Sequence, residues 1–511
     1  MEFEDALRYI SSEEWVSGSA ADERLRKSVL KTLLPASRTA EGRATIGASP
    51  HAIEGISSFL REPTLCLQPV GTLSIRLLRN LCARSPPNQH HAAAARVHDI
   101  VLDSIQPHVA SASAVPGEDR DCKPSGGDGS RTTVDGERSK SSEPEMHPFV
   151  ATAVEFLCNF ATGNAENADL IWKRAFPETM FLILESSDPA VVSAGTALLH
   201  NCIAATPQRA SDLVCVWNEV DGKGRSFAEL LISRLHAESG ASDLEEHETF
   251  SWSFMVIRRL VAVGLLREVF NAVGPPLEMI RSQSGVTVSP YQTTLLCVLD
   301  AAISKYAENE GRADAAFEIP DTSMPFFTQL IVVSWAIRDG TSLRLSFSIA
   351  GSVMLLMPGF AFLRDFKLQC TTVAVNVLKD MHEQAHGVPA TDDDEWNSFA
   401  GLRGSAVRLI ALSCDRDEEM QDLVRTSDGL VAVLSALSYE KDTSINPFLR
   451  EWAVMAVRNL CLGNAKNADV INMLELVDVQ TNQAVLERAG LEAFMDSSSG
   501  RPRLRVRPHV G

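Results

Sequence analysis

The sequence has few aromatic residues and no large excess of basic ones, and both shortages narrow the class of protein. Aromatic residues make up only 6% of the 511 residues. Ala, Leu and Val fill most apolar positions instead, which favours packed helices over a β-sandwich. The formal net charge is −19, whereas a phosphate-binding surface needs clustered Lys and Arg. The composition therefore argues against nucleic acid and anionic membranes as partners.

Paired cysteines and long apolar runs are also missing. None of the ten cysteines forms a C-x-x-C pair, and several, such as Cys82, Cys158 and Cys461, stand beside leucine in apolar runs. This pattern predicts small buried side chains in a reducing compartment.

The first ten residues lack a basic-then-apolar signal. The longest apolar stretch, 349–363, is broken by glycine and proline and is too short to span a bilayer. We therefore expect a cytoplasmic protein without membrane insertion.

Two segments interrupt an otherwise helical pattern. Residues 110–147 contain almost no large apolar side chain, so they cannot bury enough surface to offset the entropy lost on ordering. We predict a disordered insert there. Residues 387–395 are acidic and contain Gly387 and Pro389, which predicts the end of a helix and a short acidic linker.

One phrase recurs along the chain. It has the variants RNLCARSPPNQ (79–89), CNFATGNAENAD (158–169), HNCIAATPQRA (200–210) and RNLCLGNAKNAD (458–469). Asn159 and Asn201 are 42 residues apart, and Asn80 and Asn159 are 41 apart once the insert is left out. Armadillo and HEAT repeats have periods of ~40–47 residues. We therefore predict an all-α, armadillo/HEAT-like right-handed α-solenoid, with a short β-hairpin within about 491–506. The sequence predicts helical repeats at 1–109 and 148–386 and a C-terminal domain at 396–507. The positions of the repeat boundaries between about 250 and 381 are left open.

The C-terminal part resembles a known family. The stretches NPFLREWAVMAVRNLCLGNAKNADVINMLE (446–475) and VLERAGLEAFMDSSSGRPRLRV (485–506) are similar to the C-terminal domain of the ataxin-10 family. The resemblance implies an armadillo-like scaffold with no enzyme activity and no cofactor. It also implies other proteins as partners, in the cytoplasm, with a role in cytokinesis or intracellular signalling. Association into a homo-oligomer is left open.

One motif suggests a different function. HEQAH places His382 and His386 one helical turn apart with Glu383 between them, an arrangement that can hold zinc in a peptidase. No third ligand follows at a typical spacing, and the motif stands just before Gly387. An exposed helix end is therefore the favoured interpretation, and a zinc-dependent peptidase is the alternative.

The repeated asparagines also allow two interpretations. Asn80, Asn159, Asn201 and Asn459 could hold the backbone of an extended ligand, as in a peptide-binding transport adaptor. The tryptophan that accompanies such asparagines four residues earlier is absent, since those positions are Arg76, Glu155, Ala197 and Met455. We therefore favour asparagines that bond to neighbouring backbone within the protein.

A candidate protein-binding face follows from the helical pattern of 449–462. At about 100° per residue, Leu449, Ala453, Ala456 and Leu460 share the core side. The opposite side, with its border, is predicted to bind partners and comprises Glu451, Val454, Arg458, Asn459 and Leu462.

Overall fold

The computed structural model describes thirteen stretches of the chain together with Trp15. They are 1–12, 23–49, 51–62, 66–112, 148–217, 226–238, 248–308, 319–356, 363–387, 401–437, 448–473, 491–496 and 501–506. They form two compact units, Met1–Leu265 and Leu266–Gly511. Within these stretches the structure has 25 α-helices and one β-hairpin.

The first unit contains fourteen of the helices. They are α1 (Phe3–Ile10), α2 (Glu23–Ala36), α3 (Ala40–Ala48), α4 (Ala52–Ser58), α5 (Pro69–Cys82), α6 (Pro86–Ala94), α7 (Val97–Ala112), α8 (Pro148–Ala161), α9 (Ala165–Ala175), α10 (Glu178–Glu185), α11 (Pro189–Ala205), α12 (Pro207–Cys215), α13 (Phe227–Glu238) and α14 (Glu248–Ala262). A 3₁₀ turn at Phe59–Arg61 follows α4.

The second unit contains the other eleven helices and the hairpin. The helices are α15 (Leu266–Ala272), α16 (Leu277–Ser282), α17 (Pro290–Glu308), α18 (Met324–Ala336), α19 (Gly340–Leu356), α20 (Leu363–Gly387), α21 (Leu402–Ser413), α22 (Glu418–Thr426), α23 (Gly429–Ser435), α24 (Leu449–Cys461) and α25 (Ala465–Asn472). Strands β1 (Leu491–Asp496) and β2 (Arg501–Val506) pair antiparallel, from Leu491 opposite Val506 to Asp496 opposite Arg501.

The repeated phrase forms the corner between two helices. Gly163 and Gly463 have φ values of 67° and 80°, a left-handed conformation that glycine adopts without a steric penalty at a helix C-terminus. The Asn164 side chain then accepts a hydrogen bond from the Asn167 amide at 3.0 Å and caps α9. Asn464 caps α25 in the same way. The repeated phrase therefore ends one helix and starts the next.

Each unit is built on one stack of long helices, which we call the inner helices. In the first unit α2, α5, α8, α11 and α14 pack on one another in chain order, and in the second unit α17, α19, α21 and α24 do so. Their contact faces carry much of the buried apolar core, for example Leu157 in α8 and Leu460 in α24. The predicted all-α repeat fold is confirmed, and so is the C-terminal hairpin.

The predicted segment boundaries can be placed against the helices. Helix α7 continues to Ala112, so residues 110–112 of the predicted insert are helical, and residues 113–147 lie outside the described residues. Helix α20 ends at Gly387, and the rest of the acidic linker, 388–395, also lies outside them. The boundary between the two compact units falls inside the predicted central block 148–386. No helix in the described ranges is long and apolar enough to cross a membrane.

Candidate functional site

The repeated asparagines lie on the inner helices and bond to the preceding inner helix. The Nδ2 atom of Asn159 donates to the Arg79 carbonyl at 3.1 Å. One repeat later, Nδ2 of Asn201 donates to the Cys158 carbonyl at 3.3 Å and to the Thr162 hydroxyl at 2.9 Å. Each amide therefore connects two repeats of the protein, and this is the internal arrangement that the sequence analysis favoured.

Asn459 makes the same bond in the last repeat. Its Nδ2 atom lies 2.8 Å from the Ala411 carbonyl of α21, and only 4% of the residue is exposed. The sequence analysis placed Asn459 on the binding face of α24, at its border with the core. The structure corrects this position, because Asn459 is buried rather than at an exposed border and its Nδ2 atom already bonds to α21.

The other four residues of the predicted face are exposed on α24. Val454 is 56% exposed and Leu462 is 41% exposed, and Glu451 and Arg458 are exposed as well. We call Glu451, Val454, Arg458 and Leu462 the α24 face. It combines two apolar side chains with one acid and one base, a composition that suits a modest protein interface.

The surface equivalent to the α24 face in an internal repeat is covered by another helix of the protein. The phrases GNAENAD and GNAKNAD are 300 residues apart, so α8 and α24 can be compared position by position. The α24 face corresponds to Ala151, Val154, Cys158 and Thr162 of α8. The next inner helix, α11, packs on this side of α8, where Asn201 bonds to Cys158 and Thr162, and Val154 is completely buried. The α24 face is therefore a stacking surface without an inner helix on it among the described residues.

Two exposed apolar residues lie next to this surface and are not part of the predicted face. Met455 is 40% exposed and Phe448, at the N-cap of α24, is 65% exposed. The Met455 sulfur lies 3.8 Å from the Arg458 guanidinium. Met455 corresponds to Glu155 at the 300-residue offset, and Glu155 forms an ion pair with Arg79. Comparing the two repeats in the sequence could therefore have drawn attention to Met455.

The HEQAH motif lies in the last turns of α20. His382 is half-buried, Glu383 is exposed, and the side chain of His386 lies outside the described residues. Among the described side chains there is no group of three or more His, Cys, Asp and Glu that could hold a metal ion. The structure therefore gives the zinc peptidase no support.

The buried thiols do not offer a nucleophile in place of the metal. Burial raises the pKa of Cys82 to about 12 and that of Cys158 to about 11. Since the thiolate is the reactive form, these cysteines remain protonated at neutral pH. All nine described cysteines are free thiols, and five of them are buried as predicted, whereas Cys215 and Cys297 are exposed.

Comparison with known proteins shows which family this chain resembles. A domain model described as "Spinocerebellar ataxia type 10 protein domain" matches residues 402–505. Ataxin-10 of Xenopus tropicalis is 24% identical over 364 residues, which are 69% of either chain. Ataxin-10 of Homo sapiens is 21% identical over 367 residues, 66% of this chain and 68% of the human one. The ataxin-10 homolog of Schizosaccharomyces pombe is 27% identical over 118 residues, 23% of this chain and 26% of its own.

Two solved structures also resemble this chain. A crystal structure of an engineered protein has a TM-score of 0.40 at 14% identity and covers 95% of this chain and 97% of its own. A structure from work on the phosphorylation switch between cadherin and β-catenin has a TM-score of 0.36 at 10% identity, with 91% of each chain covered.

The inner helices, the Asn-containing corners and the repeat period define a helical-repeat protein of the armadillo type. Within that class, the domain match and the full-length relatives agree on one group. The chain is similar to ataxin-10 proteins over about two thirds of its length, and its residues 402–505 match the domain model of that family.

Proposed function

We propose that this protein is a non-enzymatic scaffold and that a partner protein docks on the α24 face. The observation that carries the proposal is the exposure of Val454, since the same position in α8 is covered by the next inner helix. Burying a Val or Leu side chain contributes about 1.5–3 kcal/mol. A partner that covers Val454 and Leu462 therefore gains affinity from a surface that already has the shape of a helix–helix contact.

The chemistry of the face indicates what the partner contributes. Glu451 lies at one end of the face and Leu462 at the other, with Val454 and Arg458 between them. An amphipathic helix can place its apolar stripe on Val454 and Leu462 and opposite charges near Glu451 and Arg458. We infer that such a helix takes the place that α11 occupies on α8.

The test is affinity capture with matched variants. Full-length protein, wild type or Val454→Asp, is used as bait in lysate from the native cell, and captured proteins are identified by mass spectrometry. Val431→Asp is the control, because Val431 is similarly exposed at 53% but lies on α23. The proposal expects Val454→Asp to lose specific partners that Val431→Asp keeps. It is wrong if both variants retain the full partner set.

The process and place of action rest on the family alone. The resemblance to the ataxin-10 family suggests a cytoplasmic scaffold that acts in cytokinesis or intracellular signalling. A second copy of the chain is one protein partner that the face could accept. Light scattering on the purified protein tests this case, since Val454→Asp would then lower the measured mass.

A further inference from the structure

The inner helices of the first unit form a trough outside the α24 face, and its lining includes Asn80 and Asn159 of the repeated phrase. It consists of two adjoining cavities of about 550 and 390 Å³ that share Arg79, Glu155 and Ala190. The first cavity reaches from α2 to α11 and the second from α5 to α14. The trough therefore runs across all five inner helices, at an angle to their axes.

The middle of the trough has small side chains. They are Ala151, Thr152, Ala190, Ser193, Ala194 and Ala197. Stacked helices are about 8–10 Å apart, so four steps from α2 to α14 span roughly 32–40 Å. An extended chain advances about 3.3 Å per residue, so about 10–12 residues would cross this distance. A trough of this length lined by small side chains can accept a peptide main chain in extended form.

Polar atoms on the floor are available to that main chain. The Nδ2 atom of Asn159 is occupied by the Arg79 carbonyl, but its Oδ1 atom accepts no hydrogen bond from any residue the structure describes. The Ser193 hydroxyl, on the opposite wall of the second cavity, is likewise unbonded within the described ranges. Both can accept a hydrogen bond from a peptide N–H, which an extended ligand needs because its main chain has no internal partners.

One end of the trough is basic. Arg38 and Arg76 line the first cavity and are exposed. Neither guanidinium forms a hydrogen bond or an ion pair with a residue in the described part of the chain. Arg24 and Lys31 precede Arg38 at seven-residue spacings and are also exposed, so all three lie along one side of the α2 helix and its C-terminal turn.

The acidic residues of the trough do not neutralise this end. Glu155 is already paired with Arg79. Asp188 caps α11, and its Oδ1 atom accepts a hydrogen bond from the Ala190 N–H at 2.9 Å. The remaining positive charge is unusual in a chain whose net charge is −19. Unpaired arginines select carboxylate groups, because the planar guanidinium matches them in shape and charge.

We propose that the trough of the first unit binds an extended acidic segment of a partner protein. Its carboxylates contact Arg38 and Arg76, and its main chain crosses the small side chains of α8 and α11. The far end of the segment reaches Trp252 of α14, which is half-buried in the second cavity and offers an apolar surface. This site is separate from the α24 face and does not depend on it.

Fluorescence anisotropy on the full-length protein tests the site with three defined probes. The first is a labelled 12-residue peptide of alternating Glu and Ala, the second replaces every Glu with Gln, and the third is a single-stranded DNA of equal charge. We expect the Glu peptide to bind at low salt, the Gln peptide to bind at least tenfold more weakly, and added salt to weaken the Glu complex. Tighter binding of the DNA than of the Glu peptide would overturn the proposal in favour of a nucleic-acid site.

Variants locate the binding. Arg38→Glu combined with Arg76→Glu should weaken the Glu peptide more than tenfold. Arg61→Glu is the control, because Arg61 is an exposed arginine of the same unit outside the trough, and it should change affinity by less than twofold. Ala190→Trp adds bulk at an exposed position shared by both cavities, and it should block binding without altering the melting temperature. No binding of the Glu peptide, or binding that survives all three trough substitutions, would overturn the proposal.

Discussion

Val154 and Val454 occupy the same position in two copies of one repeat, yet Val154 is completely buried and 56% of Val454 is exposed. The difference arises from the neighbours, because α11 packs on α8 whereas the described chain supplies no inner helix beyond α24. The same residue type is therefore core in one copy and a candidate interface in the other. This relationship makes the function of the α24 face testable with matched substitutions.

The first prediction compares the two valines. Val154→Asp should destabilise the first unit by about 3 kcal/mol or more, because a carboxylate in an apolar contact has no partner. Val454→Asp should change stability by less than about 0.5 kcal/mol, as exposed substitutions usually do. Thermal unfolding followed by circular dichroism measures both. Equal losses in the two variants would mean that Val454 is covered in solution.

The second prediction separates binding from folding within α24. Arg458→Glu should weaken partner capture and leave the melting temperature nearly unchanged, because Arg458 is exposed. Leu460→Ala should cost roughly 2–5 kcal/mol, because Leu460 is completely buried and its truncation leaves a cavity. Thermal melts and a pull-down are run on both variants. An Arg458→Glu protein that melts early, or one that keeps every partner, would contradict the assignment of this face.

The third prediction concerns the bond between repeats. Asn459→Ala removes the donor to the Ala411 carbonyl and leaves a buried acceptor without a partner. We expect a loss of about 1–3 kcal/mol, in contrast to the small effect of the adjacent Arg458→Glu. Urea unfolding gives the difference in stability. Should Asn459→Ala instead remove partners at unchanged stability, Asn459 would belong to the binding face after all.

Much of this architecture could be predicted from the sequence because it depends on local patterns. The spacing of Leu449, Ala453, Ala456 and Leu460 identified the buried side of α24, and all four are buried. The helix ends at Gly163 and Gly463 are equally local, since the left-handed conformation of each glycine depends on a few adjacent residues.

What could not be predicted depends on contacts between repeats. Asn459 lies next to Arg458 in sequence, and only the position of α21 shows that one is buried and the other exposed. The basic end of the trough joins Arg38 of the α2 region to Arg76 of α5, residues that no motif connects. The division between Leu265 and Leu266 falls where the helical pattern continues, so composition gave no sign of it.

The last prediction uses a buried histidine of the first unit. His98 is 4% exposed and stacks on Phe160 with the ring centres 5.3 Å apart. Burial lowers the pKa of His98 below its usual value of about 6.5, and Arg96 adds to this effect, although the nearby Asp99 carboxylate opposes it. The unfolded chain therefore takes up this proton at a higher pH than the folded protein does.

The sign of the pH effect follows from this order of protonation. Above about pH 6.5 His98 is neutral in both the folded and the unfolded state, so it does not change the free energy of unfolding. As the pH falls from there towards the folded pKa, only the unfolded state gains the proton. The free energy of unfolding then falls by at most about 1.4 kcal/mol per pH unit. The Nδ1 atom of His98 has no hydrogen-bond partner in the described structure, so His98→Phe should keep the stack on Phe160 without losing a bond there. We expect this variant to match the wild type near pH 8 and to lose less stability between pH 7 and 5, measured by urea unfolding at each pH. His200, whose pKa is also lowered by burial, contributes to the acid loss in both proteins and cancels in the comparison. Identical pH profiles for the two proteins would show that His98 is protonated without cost and that its surroundings admit water.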